Sequence, residues 1–422
     1  MNEQLLQFIW KHRLYQSRGM LYTLQGDRIR IEKPGKINTD AGPDFTEAHV
    51  RFDDALLVGN VELHVKTSDW MRHGHAQDRS YDNIILHVVY EHDHLQPGQQ
   101  HPVLELKPLL PEKLTHRYFQ MMQNNRQVPC AALLPGVDRF IVETWKQRLV
   151  IERLQRKSEW IAGLLHFTRN DWQETFYIVL CHYWGMKVNA VPFELLARSL
   201  PQKILGRHKD RLVLLEALLL GQAGFLNGPF TEAYPLQLQA HFRHLKQKYR
   251  LQPLEPHIWK HMRMRPNNFP AVRIALLAAL VHKASSMLSA VADAADLQAV
   301  IDWFDVTASS YWTHHYRLEA PSARALPKRL GEEAVKVLLI NAVIPTLFVY
   351  ARHTGNDALG YKTLEWLEAI EAEDNAIVRC WTALGLQNEN ACDSQALIQL
   401  KQEYCDAKKC LNCAIGHHLL KY

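Results

Sequence analysis

Charge of one sign is scarce in this chain. Its 422 residues carry 49 Lys plus Arg against 44 Asp plus Glu, a formal net charge of only +5. The molecule as a whole is therefore not a polybasic nucleic-acid coat. Disordered and low-complexity composition is also missing, since 47% of residues are hydrophobic and 22% charged. No uninterrupted apolar run reaches the ~18–20 residues of a spanning helix. The longest, VLLINAVIPTLFVYA (337–351), holds Asn341 and Pro345 and reads as a buried, Pro-kinked core helix. The opening MNEQLLQFIWKHRLYQ scatters charges through an amphipathic segment and lacks a signal region. No membrane partner is expected. Cysteine is sparse, seven residues at uneven spacings, which argues against a disulfide framework and for reduced thiols in a cytoplasm. No fixed-period repeat is present, which excludes a standard solenoid.

What is there changes character along the chain. Up to about residue 125 the pattern is mixed. LLQFIWKHRLY (5–15) carries a helical apolar stripe. Short β-branched or alternating runs follow: RIRIE (28–32), EAHVRF (47–52), LLVGNVELHVK (56–66), NIILHVVYE (83–91) and VLELK (103–107). TSDWMRHGHAQDRSYD (67–82) reads as a capped helix or a long loop. After Pro129 strand signals almost vanish, and Asp138, Asn170, Asn189 and Asp210 look like helix caps, with Pro192 in a first turn. We expect an α/β domain over 1–125, restriction-endonuclease-like in element order. An all-α domain over 138–385 and a helical tail over 386–422 should follow.

The informative stretch is AGPDFTEAHVRFDDALLVGNVELHVKTSDW (41–70). Two strands flank a polar turn at Asp53–Asp54, the layout of an antiparallel hairpin. With the turn centred on Asp54, residues whose numbers sum to 108 pair, so Asp44 faces His64. Side chains alternate along a strand, so Glu62, His64 and Lys66 share a face, and Asp44 joins it. Two carboxylates held together raise one pKa unless a cation lies between them. Mg²⁺ or Mn²⁺ is bound well by such a pair together with phosphate oxygens, and His64 could orient or deprotonate a water.

Pro43-Asp44, then Glu62-Leu63-His64, within helix–strand–strand–strand–helix–strand, resembles the PD-(D/E)xK nuclease core. The resemblance implies Mg²⁺-dependent phosphodiester cleavage, with Asp44 and Glu62 at the acidic positions. His64 stands where that family has lysine, with Lys66 a substitute two residues on. Gln77 and Tyr81 match the Gln-x-x-x-Tyr motif of its RecB-like branch, with His73 one helical turn earlier. The whole chain also resembles an uncharacterised bacterial family, a domain of unknown function. The stretches that carry this are LLQFIWKHRLY, AGPDF, GNVELHVKTSDW, YDNIILHVVYEHD, EALLLGQAGFL, MRPNNFPAVRIALLA and CLNCAIGHHLLK.

Rival readings use the same residues. Asp44 is also a good strand-start residue, and Glu62 and His64 could be the solvated face of an edge strand. His64, His73, His75, Asp78 and His87 have the donor types of a zinc site, without an HExxH signature. Ten of the 23 histidines fall in the first 120 residues, which directs attention there. A non-catalytic binding protein is the main alternative to an enzyme.

Two further stretches carry chemistry. HFRHLKQKYRLQPLEPHIWKHMRMRPNNF (241–269) holds Arg243, Lys246, Lys248, Arg250, Lys260, Arg263 and Arg265 against Glu255, with Phe242, Tyr249, Trp259 and Phe269 interleaved. Cations neutralise phosphates while aromatics stack on bases or pack inward, so nucleic acid is the expected partner of this stretch. The tail has Cys405-x4-Cys410-x2-Cys413, a zinc or iron–sulfur spacing, with His417, His418 or Cys392 as fourth ligand. Cys130, Cys181 and Cys380 read as isolated small apolar residues.

Overall fold

The structure is a computed structural model; it describes residues 1–16, 20–94, 101–124, 127–262, 264–284 and 286–421. The chain is an N-terminal α/β region followed by a large helical one, as expected, and is 57% helical overall. It divides into two compact units, one of residues 1–145 with 400–422, the other of 146–399. The last residues, read from sequence as an appendage, thus belong to the first unit.

In the first unit, α1 (Glu3–Lys11) starts on an Asn2 cap whose side chain accepts from Leu5 N. It buries Leu5, Leu6, Phe8, Ile9 and Trp10. The sheet among the described residues has seven strands: β1 (Leu21–Tyr22), β2 (Arg28–Lys33), β3 (Lys36–Ile37), β4 (Phe45–Phe52), β5 (Ala55–Lys66), β6 (Ile84–Glu91) and β7 (Val103–Glu105). Their order is β1-β2-β4-β5-β6-β7, with β3 on β4. β4 and β5 are antiparallel, whereas β6 runs parallel to β5 and β7 parallel to β6. Parallel pairing requires a crossover, and residues 67–83 supply it. The segment is a four-residue helix α2 (Asp69–Arg72) and two single 3-10 turns, His75–Gln77 and Arg79–Tyr81.

The hairpin register corrects the expected one. Near the turn the paired numbers sum to 107, not 108: Phe52 pairs with Ala55 and Ala48 with Gly59. A bulge then shifts the register, so that Phe45 pairs with Val61. Glu47 lies in this bulge with φ +55°, the left-handed region a bulged residue can occupy. Extending that register sets Asp44 against Glu62 instead of His64. β5 is not an edge strand either. Val61 and Leu63 are buried on one face, and Glu62 and His64 on the other, at 5% and 1% exposure.

The second unit is helical. It contains most of the long helix Arg139–Phe167 and the helices Trp172–Trp184, Met186–Ser199, Gln202–Gly206, Leu212–Gln222, Ala233–Tyr249 and Pro270–Lys283. Asp138 does start its helix, its carboxylate accepting from Phe140 N. The next cap is Asp171 instead of Asn170, and Asn189 is a non-helical kink inside its helix, with Pro192 beyond it. The apolar segment at 337–351 is part of a helical run Glu332–Thr354, long and apolar enough to span a bilayer, with 67% of its apolar window buried inside the protein. A π-turn at Leu339–Val343 sits just before Pro345, where the missing proline N–H breaks the regular ladder.

Gly59 of β5 packs tightly against the start of β6, where a Cβ would come within 2.4 Å of Ile85 Cγ2 and 2.8 Å of Asn83 O. Gly59→Ala should therefore destabilise the first unit by about 1–3 kcal/mol through overpacking. Urea unfolding followed by tryptophan fluorescence measures this, and an unchanged midpoint would contradict the packing described.

Candidate metal centre

The bulge at the start of β4 ties two carboxyl groups to the backbone. Asp44 N donates to Glu62 Oε2 at 3.0 Å, and Leu63 N donates to Asp44 Oδ2 at 3.0 Å. Gln7 of α1 donates to Asp44 Oδ1 at 2.7 Å. Each carboxylate thus spends oxygens on N–H donors, and Glu62 Oε1 is left facing histidines. His75 Nε2 is 3.3 Å from it and His64 Nε2 3.7 Å. His64 Nε2 is also 3.2 Å from His73 Nδ1. His64, His73 and His75 form the one group of three potential ligand atoms, all within 4.8 Å of one another, found among the described residues.

Those separations have a physical meaning. A tetrahedral ion with bonds of about 2.05 Å to nitrogen or oxygen sets its ligand atoms about 3.3 Å apart. The distances of 3.2, 3.3 and 3.7 Å lie near that edge, and the three histidine atoms together span up to 4.8 Å. His75 Nε2 is enclosed and makes no hydrogen bond of acceptable geometry. Behind the cluster, His64 Nδ1 lies 2.9 Å from Nε2 of His87, a fully buried residue on β6. If His64 Nδ1 donates this proton, Nε2 carries its lone pair towards His73 and Glu62. A ligating histidine is usually oriented in this way by a partner on its other nitrogen. Trp70 and Tyr81 wall the site, Trp70 against His87 at 5.0 Å and Tyr81 against His75 at 4.0 Å between ring centroids.

The electrostatics are set mainly by burial. Burial, and then the charge of Asp44, push the Glu62 carboxyl up to about 8. Burial pushes Asp44 up to about 6, against the lowering effect of the Leu63 and Gln7 hydrogen bonds. Burial, then His87, His75 and His73, press His64 down to about 2, and burial presses His87 down to about 3. Neutral imidazoles beside carboxyl groups that resist ionisation make an environment a bound cation would relieve.

Of the expected residues, the fold brings together Asp44, Glu62, His64 and Tyr81. It does not bring Lys66, which is exposed and set against Glu91 of β6. Gln77 is exposed at the end of a 3-10 turn, so Gln77 and Tyr81 do not share the helical face expected of them. Asp78 is occupied by the Ser80 amide and hydroxyl. His73 and His75 complete the cluster. Their presence among the donor types was readable, but their convergence required the short α2 and its Gly74 turn at φ +75°.

The basic stretch lies in the second unit. On the helix Ala233–Tyr249, Arg243 and Lys246 line one shallow cleft of ≈ 490 Å³ with Arg250. Lys248 lines another, of ≈ 350 Å³, with His241, His244, Arg207 and Arg211, the last two unforeseen from sequence. Lys260 and Arg265 are exposed on the following loop; Arg263 lies outside the described residues. Phe242 and Trp259 are core residues, 5% and 4% exposed, so they are not stacking platforms. In the tail, the His417 ring turns towards Phe8 and His12, at 5.2 and 4.1 Å between centroids.

Fold and site together define an α/β unit with a buried carboxylate–imidazole centre, joined to a helical region. The chain belongs to the family described as protein of unknown function (DUF2851), whose model matches residues 3–376. No curated protein and no solved structure matches it significantly.

Asp44→Ala leaves the Leu63 and Gln7 N–H groups without their acceptor. It should cost about 1–3 kcal/mol in urea unfolding. Asp44→Asn, which keeps an oxygen for Leu63, should cost less; equal losses would contradict the hydrogen-bonded role.

Proposed function

We propose that the first unit is a metal-dependent phosphodiesterase of the nuclease type. The observation that carries this is the group of His64, His73 and His75, with Glu62 Oε1 3.7 Å from His64 and 3.3 Å from His75 and Asp44 tied to Glu62 through the backbone. The element order supports it: a helix, antiparallel strands ending in the β4–β5 hairpin, a helical crossover and β6 parallel to β5. So does burial of Glu62 on β5, an interior strand of the sheet. Three nitrogen donors and one oxygen suit Mn²⁺ or Zn²⁺ better than Mg²⁺, which prefers oxygen and retains water. The bound ion would polarise a phosphoryl oxygen and help ionise a water. His64 and His75 hold neutral lone pairs towards it, and Glu62 supplies negative charge. Asp44 fixes Glu62 through the backbone, and His87 fixes the His64 ring. His73, exposed at the rim, leaves the solvent side open for substrate.

The purified chain should hydrolyse single- or double-stranded DNA, RNA or bis-(p-nitrophenyl) phosphate with Mn²⁺ or Zn²⁺. Glu62→Gln and His64→Ala should lower the rate at least ~100-fold, and His87→Ala about 10–100-fold through metal affinity. Hydrolysis that survives Glu62→Gln, or none with any divalent ion on any of these substrates, overturns the reading.

A second reading, a polyanion-binding surface on the helical unit, is favoured by the two basic clefts. It needs no catalysis. Replacing Arg243, Lys246 and Arg250 by Glu should flatten the dependence of log affinity on log salt by about 0.7–0.9 for each phosphate no longer neutralised. Fluorescence anisotropy with a labelled oligonucleotide reads the slope; an unchanged slope excludes this face.

A further inference from the structure

The helical unit gathers positive charge in one cleft of ≈ 350 Å³, built from three elements. Arg207 ends the short helix Gln202–Gly206, and Arg211 stands at the N-cap of Leu212–Gln222. His241, His244 and Lys248 come from Ala233–Tyr249, at the i, i+3 and i+7 spacing of one helical face. Buried Leu214 and Leu245 also line the cleft. His208, between the two arginines in sequence, has its Nε2 2.9 Å from the Tyr249 hydroxyl, which fixes the ring.

These charges oppose one another. Among the described residues none of Arg207, Arg211 and Lys248 forms an ion pair, and Asp210 is the one carboxylate of the lining. Arg211 makes no side-chain cap and adds a cation where the helix dipole is already positive. His241 Nε2 is enclosed without a hydrogen-bond partner. Burial, then Lys248, Arg207 and Arg211, hold the His208 imidazole below its usual range, so the three cations act on one point. Solvated surface cations commonly stand alone. Three that converge from separate elements on a concave, partly apolar surface repel one another, and an anion in the cleft offsets that repulsion.

We propose that this cleft is a binding site for a phosphate monoester. An arginine fork matches two phosphate oxygens at once, and Lys248 and the imidazole N–H groups add single bonds. Charge selects a monoester over a diester. Two arginines and a lysine, less Asp210, leave a balance of 3 − 1 = +2. A monoester carries about −1.5 to −2 at neutral pH, whereas a backbone diester carries about −1. The volume lies at the lower end of small-molecule pockets, about 300–1,000 Å³, and suits a headgroup better than a length of duplex. A free nucleoside monophosphate and the phosphorylated end of a strand offer the same chemistry. The proposal goes beyond the polyanion reading, because a strand gripped along its backbone is indifferent to what its end carries.

The test uses the full chain in EDTA, so that no divalent ion recruits phosphate elsewhere. It is titrated with AMP by calorimetry, and by anisotropy with two 3′-labelled oligonucleotides of one sequence, ending in a 5′-phosphate or a 5′-hydroxyl. AMP binding that inorganic phosphate displaces supports the proposal and assigns the free source. Binding of the phosphorylated strand about 10-fold tighter than its hydroxyl twin supports it and assigns the strand end. Arg207→Gln and Arg211→Gln, both at exposed positions, should weaken whichever binding is seen by about 10-fold or more. Lys187→Gln, an exposed cation outside the cleft, should leave it unchanged. No AMP binding together with equal affinity for the two strands overturns the proposal, whatever the salt slope of the backbone reading. So does binding that withstands both arginine substitutions, or that Lys187→Gln weakens equally.

Discussion

The candidate centre depends on a reciprocal clamp at the mouth of the hairpin. The Asp44 amide donates to Glu62, and the amide next to Glu62 donates to Asp44. Each carboxylate is held by the backbone of the other strand, so neither can swing away to water. The clamp exists because the Glu47 bulge moves the register by one residue between Ala48 and Phe45. Without that shift Asp44 would sit one residue out of step and project on the other side of the sheet. A small backbone irregularity therefore decides whether two acidic groups meet.

The architecture was legible because it rests on periodicity. Alternating runs marked five of the sheet's strands, and the change of pattern near residue 125 marked the helical region. The convergence of Asp44 with Glu62 was also legible, although the register expected at Asp44 was two residues off, one from the turn and one from the bulge. A turn at Asp53–Asp54 fixes the register only near itself, and no sequence signal marks a bulge at a glutamate. What stayed hidden is non-local. His73 reaches His64 and His75 reaches Glu62 because a four-residue helix and a left-handed Gly74 fold the crossover over β5. Arg207 and Arg211 join Lys248 through a helix–helix approach. Spacing rules read ligands along a segment, not between segments.

Burying both faces of β5 has an energetic consequence. Val61 and Leu63 gain from leaving water, but Glu62 and His64 lose hydration, and their hydrogen bonds return only part of it. A strand chosen for stability alone would carry apolar residues at these positions, because buried polar groups are commonly neutral or unfavourable against well-packed hydrophobic ones. Apolar cover from Trp70 and Tyr81 deepens the penalty by removing solvent. Such a cluster is hard to explain as support for the sheet.

The donor types narrow what could compensate it. A second carboxylate or a lysine would pair with Glu62 or Asp44 but would leave the imidazoles unaddressed. Protonating the imidazoles fails as well, since burial and their mutual repulsion hold His64 and His87 far below neutrality. A divalent cation answers both demands, drawing the carboxylate to its ionised form while accepting neutral nitrogen lone pairs. Nitrogen-rich coordination then selects transition ions over magnesium. On the proposed reading, His64, His73 and His75 supply the nitrogen ligands that such ions prefer.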